Sequence, residues 1–393
     1  MWINRESEVA LTQAAATRHA LVVTGCRQAG KTSLLQKVFP KARYVTLDIP
    51  RDAAEAEEAG DAFLARNPPP VILDEVQYAP ALLRYVKRWI DRHREATGQF
   101  LITGSQKFTL MKGVTESLAG RAAVLVLHGL SAREYERWAG GRLEGDALWE
   151  WIWKGSYPEL HAQGLRPDRF YADYLATYLE RDVRQIIEVR NLRDFDRFLR
   201  LCAVRTGQLV SYSAWAGDIG VSTNTIKSWL SVLEASHVIC LLEPYYQNLG
   251  KRIVKAPKLY FLDTGLACYL AGVRTPGDLA ANPLLGAMFE THVLGQILRH
   301  FQNRGETPSV YFYRDHSGHE VDFVIPEGQA LRLIECKVAA WPGGAVRGFE
   351  EIRRLAGPRR VLSETVITAE RGCRVLKGGL RLDDSIELAG LES

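Results

Sequence analysis

The chain carries the sequence "ALVVTGCRQAGKTSLLQKVF" at residues 20–39, and this stretch decides the fold of its first part. An apolar run is followed by a glycine-rich loop with the spacing G-x-x-x-x-G-K-[ST], and a helical pattern follows the loop. Glycines let backbone N–H groups approach phosphates, which bind well at a helix N-terminus. We predict that the following residues form a phosphate-binding loop: Gly25, Cys26, Arg27, Gln28, Ala29, Gly30, Lys31, Thr32 and Ser33.

A second motif, "VILDEV" at residues 71–76, ends a later apolar run with two acids. Asp74 and the Thr32 hydroxyl would hold Mg²⁺, while Lys31 would neutralise the β- and γ-phosphates of ATP. Glu75 would activate the attacking water. The two motifs together, each in the expected strand or strand–helix context, predict a site that hydrolyses ATP with Mg²⁺.

Other polar residues near this site have two interpretations each. In "LITGS" (101–105), Thr103 and Ser105 would sense the γ-phosphate or would only cap a strand end. Arg121 precedes a further strand, where it would reach the nucleotide of a neighbouring subunit or form a surface salt bridge. Arg181 is a weaker candidate, since a neighbouring acid explains it equally well. The first interpretation of Arg121 predicts a ring-shaped homo-oligomer.

Length and composition bound the remaining possibilities. A chain of 393 residues favours two or three domains, and its net charge of +4 permits a nucleic-acid partner without implying one. Six scattered cysteines, with no CxxC pair, are typical of a reducing compartment. The start of the chain has no apolar run of signal-peptide or membrane-span length, so we expect a cytoplasmic protein with no membrane partner.

The pattern changes along the chain. Near-continuous apolar runs alternate with helical stretches over residues 1–128, which is typical of a parallel sheet covered on both faces. Residues from about 130 to 190 have a helical pattern only. The stretch 211–235 then indicates two helices joined by a turn at Gly220, with Ser222 placed to cap the second.

The second of these helices offers a surface for DNA. Its apolar face consists of Ile226, Trp229, Leu230 and Leu233, which leaves outward the residues Thr223, Asn224, Lys227 and Ser228. Such positions meet base edges in DNA-binding helix-turn-helix proteins. A basic cluster follows that would sit on phosphates, formed by Lys251, Arg252, Lys255 and Lys258. Modules of this kind also mediate protein contacts, and that alternative stays open.

Near the C-terminal end, "EVDFVIPEGQALRLIECK" at residues 320–337 predicts a two-stranded hairpin. Strand parity places Glu335 and Lys337 on one face of the second strand, while Asp322 lies within the first. Glu290 lies on the apolar stripe of a predicted helix, and a buried carboxylate needs a cation or a strong donor. Three carboxylates for Mg²⁺ or Mn²⁺ and an ammonium group would suit metal-assisted phosphodiester hydrolysis. Water-facing charges on an edge strand are the alternative.

The motifs together resemble those of a family of bacterial and archaeal AAA+ type ATPases with a C-terminal domain once described as of unknown function. The similar stretches run in order along nearly the whole chain: "TGCRQAGKT", "VILDEVQ", "LITGSQ", "YLERDV", "YFLDTGLACYLAG" and "FYRDHSGHEVDFVI…LIECK". The resemblance implies an α/β fold in four parts. These are a P-loop AAA+ core at 1–130, a helical lid at 131–192, a winged helix at 193–256, and a PD-(D/E)xK, restriction-endonuclease-like domain at 257–393.

The resemblance also implies roles for the C-terminal residues. The helix acid of the nuclease pattern matches Glu290, the motif aspartate matches Asp322, and the E-x-K strand matches Glu335 and Lys337. One departure from the family is "GSYPE" in the helical region, where relatives carry two glycines before the proline. Some relatives keep the nuclease fold without the activity.

Two functions follow as hypotheses. In the first, ATP hydrolysis drives a motor or clamp on duplex or branched DNA, which the C-terminal site cuts. In the second, the chain is a signalling or regulatory switch ATPase whose nuclease-fold domain only binds a partner. Cleavage of DNA that depends on Asp322 would separate the two.

Overall fold

The structure is a computed structural model, and it describes residues 2–104, 113–114, 116–179, 192–246, 254–339, 346–376 and 378–391. The first part is a parallel sheet whose strands lie in the order β2-β3-β4-β1-β5. These strands are β1 (Ala20–Thr24), β2 (Arg43–Thr46), β3 (Val71–Asp74), β4 (Phe100–Thr103) and β5 (Ala122–Val126). The helices between them are α1 (Glu8–Thr17), α2 (Lys31–Val38), α3 (Pro50–Glu58), α4 (Gly60–Arg66) and α5 (Leu82–Arg92).

This sheet confirms the predicted parallel α/β core. All residues of β1, β3 and β4 are buried, as expected for strands covered on both faces. Because the strands are parallel, the carboxyl ends of β1, β3 and β4 meet at one edge of the sheet. The phosphate loop and both acids of "VILDEV" follow these ends, so the fold brings the two motifs together.

A helical region follows the sheet. Its helices are α6 (Ala132–Ala139), α7 (Asp146–Lys154), α8 (Pro158–Ala162) and α9 (Pro167–Tyr174). Ser131 precedes α6 and forms a capping box with Glu134. The Ser131 hydroxyl accepts from the backbone N–H of Glu134, and the Glu134 carboxylate accepts from the backbone N–H of Ser131. The Glu134 side chain also pairs with Arg5, which ties the start of the chain to this helix.

The middle of the chain contains a small sheet packed with helices. Its elements are α10 (Leu192–Val204), β6 (Gln208–Leu209), α11 (Tyr212–Ile219), α12 (Thr223–Ala235), β7 (Ile239–Leu242) and β8 (Lys258–Phe261). Gly220 adopts a left-handed conformation (φ 86°) after α11, and Ser222 caps α12 through the Thr225 backbone N–H. The sheet has the order β6-β8-β7 and is antiparallel.

One strand of this sheet, β8, begins next to a predicted domain boundary. The sequence-based division between residues 256 and 257 assigns β8 to the C-terminal unit. In the structure, β8 lies between β6 and β7, where it pairs with both. The strand β8 therefore follows the predicted boundary in the sequence and pairs with strands that precede it, because a strand's partners depend on tertiary pairing that local composition does not reveal.

The C-terminal part is a six-stranded mixed sheet with helices against it, in the order β13-β14-β12-β11-β10-β9. Its strands are β9 (Tyr311–Arg314), β10 (Glu320–Glu327), β11 (Ala330–Lys337), β12 (Val361–Thr368), β13 (Arg374–Val375) and β14 (Arg381–Asp384). The helices that follow β8 are α13 (Thr264–Leu270), α14 (Pro276–Ala280), α15 (Leu285–Gln302) and α16 (Arg347–Ala356). Of these, α15 packs on β11, and α16 packs on β10 and β12. The predicted hairpin is present, since β10 and β11 are antiparallel with Phe323 opposite Ile334. Within the residues that the structure describes, no helix combines the length and apolar character needed to cross a membrane.

Candidate functional site

The phosphate loop connects β1 to α2 with a backbone that glycine alone tolerates at its first position. Gly25 has φ 137°, and a Cβ atom there would lie 1.9 Å from the Leu127 carbonyl oxygen. Gly30 has φ 90° and precedes the first turn of α2. The Lys31 ammonium donates to the carbonyl oxygens of Gly25 (3.0 Å) and Cys26 (2.8 Å). Lys31 is thus folded back over its own loop, and burial lowers the pKa of its ammonium.

Asp74, at the end of β3, is the hub of hydrogen bonds at this edge. Thr32 donates to its Oδ1 atom at 2.7 Å, and Thr103 donates to the same oxygen. Tyr44 donates to Oδ2 at 2.9 Å from the edge strand β2. The pKa of the Tyr44 phenol is raised to about 12 by burial and then by the Asp74 charge. Hydroxyl donors therefore fix both oxygens of this carboxylate.

Glu75 follows Asp74 in a left-handed conformation that is rare for its residue type, with φ 56°. Such a backbone costs on the order of 1–3 kcal/mol and clusters at functional sites. Its backbone N–H donates to the Thr103 hydroxyl at 3.2 Å, and its side chain accepts from the Gln77 amide. Gln28 in the phosphate loop has φ 61°. The uncommon backbone of Glu75 lies beside the residues predicted to act on ATP.

The oxygen donors at this edge fit the expected Mg²⁺. Hydroxyl and carboxylate oxygens are the ligands that Mg²⁺ prefers, and Thr32 and Asp74 already lie within hydrogen-bond distance of each other. These two residues would hold the ion beside the loop. It would offset the phosphate charge of a bound nucleotide.

Of the other residues predicted near the nucleotide, Arg121 lies within the described residues. Arg121 pairs with Asp91 of its own chain, its Nη2 atom 2.7 Å from Oδ1. This pairing matches the salt-bridge interpretation in the single chain, and the hydrogen bond from Arg121 lowers the pKa of Asp91. Ser105 and Arg181 lie outside the described residues.

The predicted DNA surface on α12 has the expected polarity. Thr223, Asn224 and Lys227 are exposed, whereas the residues of the predicted apolar face are buried together with Val232: Ile226, Trp229, Leu230 and Leu233. The Lys227 ammonium lies 5.5 Å from the ring centre of Tyr212. Lys255 is exposed as well, while Lys251 and Arg252 fall outside the described residues.

The prediction that Lys258 would sit on DNA phosphates is wrong. The sequence groups it with the surface lysines, yet its side chain is only 2% exposed and reaches into the C-terminal acids. Its Nζ atom lies 3.1 Å from Glu290 Oε1, 2.5 Å from Glu320 Oε1 and 3.9 Å from Asp322 Oδ1. A lysine enclosed in this way does not sit on a DNA phosphate. The basic stretch misleads because β8 turns this residue inward.

The four predicted C-terminal residues converge from three elements. Glu290 lies on α15, Asp322 on β10, and Glu335 and Lys337 on β11. Asp322 Oδ2 accepts from the Cys336 backbone N–H at 2.8 Å, and Lys337 Nζ lies 2.8 Å from Glu335 Oε1. We call Glu290, Glu320, Asp322 and Glu335, with Lys258 and Lys337, the acidic cluster.

The carboxylates of the acidic cluster disfavour one another's charge. Burial raises the pKa of Asp322 well above its usual range, and the charges of Glu290 and Glu335 raise it further. Burial also raises the pKa of Glu335, although its hydrogen bond with Lys337 opposes the shift. The Oε2 atom of Glu335 is buried without a hydrogen-bond partner. An acid-rich site with an unpartnered carboxylate oxygen has the chemistry of a cation site.

The acids of the acidic cluster are not spaced as a closed set of metal ligands in the described part of the chain. Among the described residues, the group of three side chains whose ligand atoms lie within 4.8 Å of one another is Asp315, His319 and Glu351, outside the acidic cluster. Glu290, Asp322 and Glu335 form no such group in the described part of the chain. Their donor types fit a hard divalent ion, but the Lys258 ammonium contacts Glu290 and lies 3.9 Å from Asp322.

Several of the residues around these sites could not be singled out from the sequence. Tyr44 and Gln77 contact the two acids of the ATP site, and Tyr260 donates to Glu290 in the acidic cluster. Glu320 contacts Lys258. One signal was available: Lys258 and Tyr260 are two apart in a strand, and strand parity places them on the same face.

Residues 17–136 match the family described as "AAA domain", so this part of the chain is an AAA-type P-loop domain. Residues 145–277 and 285–374 match two domains of unknown function, DUF8612 and DUF4143.

Two curated relatives show the family to which the whole chain belongs. It is 31% identical over 327 residues to the uncharacterized protein Rv2008c of Mycobacterium tuberculosis, and equally to the uncharacterized protein Mb2031c of Mycobacterium bovis. The alignment covers 82% of this chain and 70% of each relative. The chain belongs to the family of these two mycobacterial proteins.

Solved structures show weaker likeness. The Walker-type ATPase PABY2304 of Pyrococcus abyssi aligns at 16% identity, covering 68% of this chain and 96% of its own, with a TM-score of 0.46. AMPPCP-bound DnaA from Aquifex aeolicus aligns at 14% identity over 58% of this chain and 85% of its own, with a TM-score of 0.30.

Proposed function

We propose that this AAA-type ATPase is an ATP-driven DNA-processing protein whose acidic cluster hydrolyses phosphodiester bonds. The observation that supports this proposal most is the convergence of Glu290, Asp322, Glu335 and Lys337. They come from a helix and two strands, and a partly buried set of carboxylates is costly unless it serves a cation or a substrate.

Each residue of the acidic cluster has a role in this proposal. Glu290, Asp322 and Glu335 would hold Mg²⁺ or Mn²⁺, and Lys337, 43% exposed, would approach the phosphate from solvent. A bound divalent ion would polarise the phosphodiester and lower the pKa of its water. The unpartnered Oε2 of Glu335 is the atom with the most to gain from a new ligand.

The helix α12 would engage duplex or branched DNA. Its exposed Thr223 and Asn224 lie at the N-terminal end, where base edges would be read, and Lys227 lies within one turn of them. Lys255 would contact phosphates from the segment before β8. Contact with a protein through this helix remains the other use of the surface.

ATP hydrolysis would supply the conformational cycle. Lys31 would leave the carbonyl oxygens of its own loop to contact phosphate, while Thr32 and Asp74 hold the ion and Glu75 activates water. A ring of subunits would require Arg121 to exchange Asp91 for a neighbour's nucleotide. The exposed fraction of the Arg121 side chain, 29%, leaves it within reach of a neighbour.

A second candidate function is a regulatory switch. Its supporting observation is the Lys258 ammonium, which already offsets the charge of the acidic cluster. In this case the nucleotide state would control whether the C-terminal part binds a partner. No DNA would be cut.

The test is cleavage of a labelled panel of duplex, forked, four-way-junction and single-stranded DNA with Mg²⁺ or Mn²⁺, with and without ATP. The comparison is between wild type and Asp322→Asn, with Asp384→Asn as a matched control. Asp384 is a buried acid of β14 on the same sheet but outside the acidic cluster. We expect cleavage by wild type and the control, and a loss of at least about 100-fold in Asp322→Asn. No cleavage by wild type that hydrolyses ATP would favour the switch.

A further inference from the structure

Lys258 is the most deeply enclosed cation of the acidic cluster, and it comes from outside the sheet that carries the acids. It lies at the start of β8, between Leu209 of β6 and Leu242 of β7. Its ammonium contacts Glu290 of α15 and Glu320 of β10. A charge from the middle region is therefore inserted among the acids of the C-terminal part.

A second residue of β8 supports this insertion. Tyr260 lies two residues after Lys258 on the same face of the strand and donates to the same Glu290 oxygen that Lys258 contacts. The Tyr260 side chain is fully buried. Glu290 Oε1 is thus held by two donors of β8, and β8 defines the inner wall of the acidic cluster.

The Lys258 ammonium is shared by carboxylates of three residues. Its Nζ atom is within 4.0 Å of carboxylate oxygens from three residues, while those residues form no group at metal-ligand spacing in the part of the chain described. Two like charges a few ångströms apart in a partly buried site repel each other far more than they would in water. A divalent ion and the ammonium would repel each other strongly at this place.

We propose that Lys258 is an internal counter-ion that holds the place of a divalent cation, so that the acidic cluster takes up metal only after the Lys258 ammonium has left. This inference rests on the proposed cleavage function and states what controls it. Since β8 pairs with β7, and α12 packs against β7, the DNA-facing helix has a direct mechanical route to Lys258.

The test measures metal binding rather than cleavage. Mn²⁺ is titrated into the full chain by calorimetry, with Asp74→Asn present in every sample to remove the ATP-site ion. Lys258→Met keeps the length of the side chain but removes its charge. We expect this variant to bind one Mn²⁺ at least about tenfold more tightly than the parent, because a repelling charge is gone. Adding Asp322→Asn should abolish the gain.

Lys41→Met is the matched control, because Lys41 is an exposed lysine outside the acidic cluster and outside the proposed DNA surface. It should bind Mn²⁺ as the parent does. Equal Mn²⁺ affinity in the parent and in Lys258→Met would overturn the proposal. If Lys258→Met is unfolded without metal, circular dichroism with added Mn²⁺ decides: recovery of the fold supports the proposal, and no recovery at any concentration contradicts it.

The cleavage panel and the Mn²⁺ titration separate the two proposals. Mn²⁺ uptake that increases in Lys258→Met, without DNA cleavage by any variant, would retain the internal counter-ion and reject the nuclease. Cleavage by a wild-type chain that already binds Mn²⁺ at the acidic cluster would do the reverse.

Discussion

Tyr44 donates a hydrogen bond of 2.9 Å to Asp74 Oδ2, from the edge strand of the parallel sheet to the acid predicted to hold Mg²⁺. The two residues are neighbours across β2 and β3, where Thr46 rather than Tyr44 pairs with Asp74 in the register. Thr32 and Thr103 occupy the other carboxylate oxygen. Tyr44 is therefore a positioning residue for Asp74. Tyr44 lies in the ATP site, although it belongs to neither nucleotide motif.

Removing the Tyr44 hydroxyl should weaken the hold on Mg²⁺. Loss of a hydrogen bond to a ligating group commonly costs 10–100-fold in metal affinity, so Tyr44→Phe should raise the Mg²⁺ concentration for half-maximal ATP turnover by about tenfold. Turnover at saturating Mg²⁺ should change much less. Lys41→Ala, at an exposed lysine before β2, is the control. An unchanged Mg²⁺ dependence in Tyr44→Phe would refute the positioning role.

Lys227 should contribute to DNA affinity through charge. Its exposed ammonium lies on the outward face of α12, so Lys227→Ala should weaken binding to all duplex sequences alike and reduce the slope of log affinity against log salt by about 1. Fluorescence anisotropy at several salt concentrations measures both effects. Lys41→Ala again serves as the exposed control. A salt slope equal to that of wild type would argue for a protein partner at this helix instead.

The buried pair of Arg5 and Glu134 should be a large term in stability. The side chains are 4% and 0% exposed, and Arg5 also donates to the Ala29 carbonyl oxygen of the phosphate loop at 2.9 Å. Arg5→Met would leave Glu134 as an unpaired buried charge, so the free energy of unfolding should fall by about 3–5 kcal/mol.

Urea unfolding followed by circular dichroism measures this loss. Arg166→Met is the control, because Arg166 and Asp168 form a pair that is mostly exposed and should contribute no more than about 1 kcal/mol. Equal losses in the two variants would mean that burial does not decide the value of the Arg5 pair.

His161 should make the protein less stable in mild acid. Burial lowers the pKa of His161 from 6.5 to about 4, although its bond to the Gly155 carbonyl oxygen opposes the shift. The folded chain then binds fewer protons than the unfolded chain between these values, so stability present above pH 6.5 is lost as the pH falls towards 4.

His161→Gln keeps a donor for Gly155 but does not titrate. Its stability should fall less between pH 6.5 and 4, by on the order of 1–3 kcal/mol. Part of the dependence of stability on pH should remain in this variant, because burial also lowers the pKa values of His128 and His292. Thermal unfolding across this range measures the difference, with the exposed His316→Gln as the control. If the stability of His161→Gln falls with pH as steeply as that of wild type, His161 is not the source of the pH dependence.

Local patterns were sufficient to predict geometry that lies within one motif. The strand–loop–helix order at residues 20–39 was enough to place the phosphate loop, because its geometry is local and glycine is required at Gly25. The hairpin and the apolar stripe of α15 were also local signals, and they were enough to single out Glu290, Asp322 and Glu335. In the structure these three acids lie in one region.

Long-range pairing was beyond these patterns. Lys258 lies in a stretch with basic residues, and composition alone favours the surface for such a lysine. Its burial follows from β8 lying between β6 and β7, against the C-terminal sheet, which no local periodicity reveals. The sequence does not single out Tyr44 for the same reason, since its partner Asp74 lies on the neighbouring strand of the sheet.

The measurement that tests the central claim most directly is DNA cleavage by Glu75→Gln in the presence of ATP, Mg²⁺ and the DNA that wild type cuts best. This variant keeps Lys31, Thr32 and Asp74, so it should bind ATP while its turnover falls by about 100-fold or more. If hydrolysis drives processing, cleavage should fall in step, although every residue of the acidic cluster is intact. Cleavage at the wild-type rate by Glu75→Gln would contradict an ATP-driven nuclease.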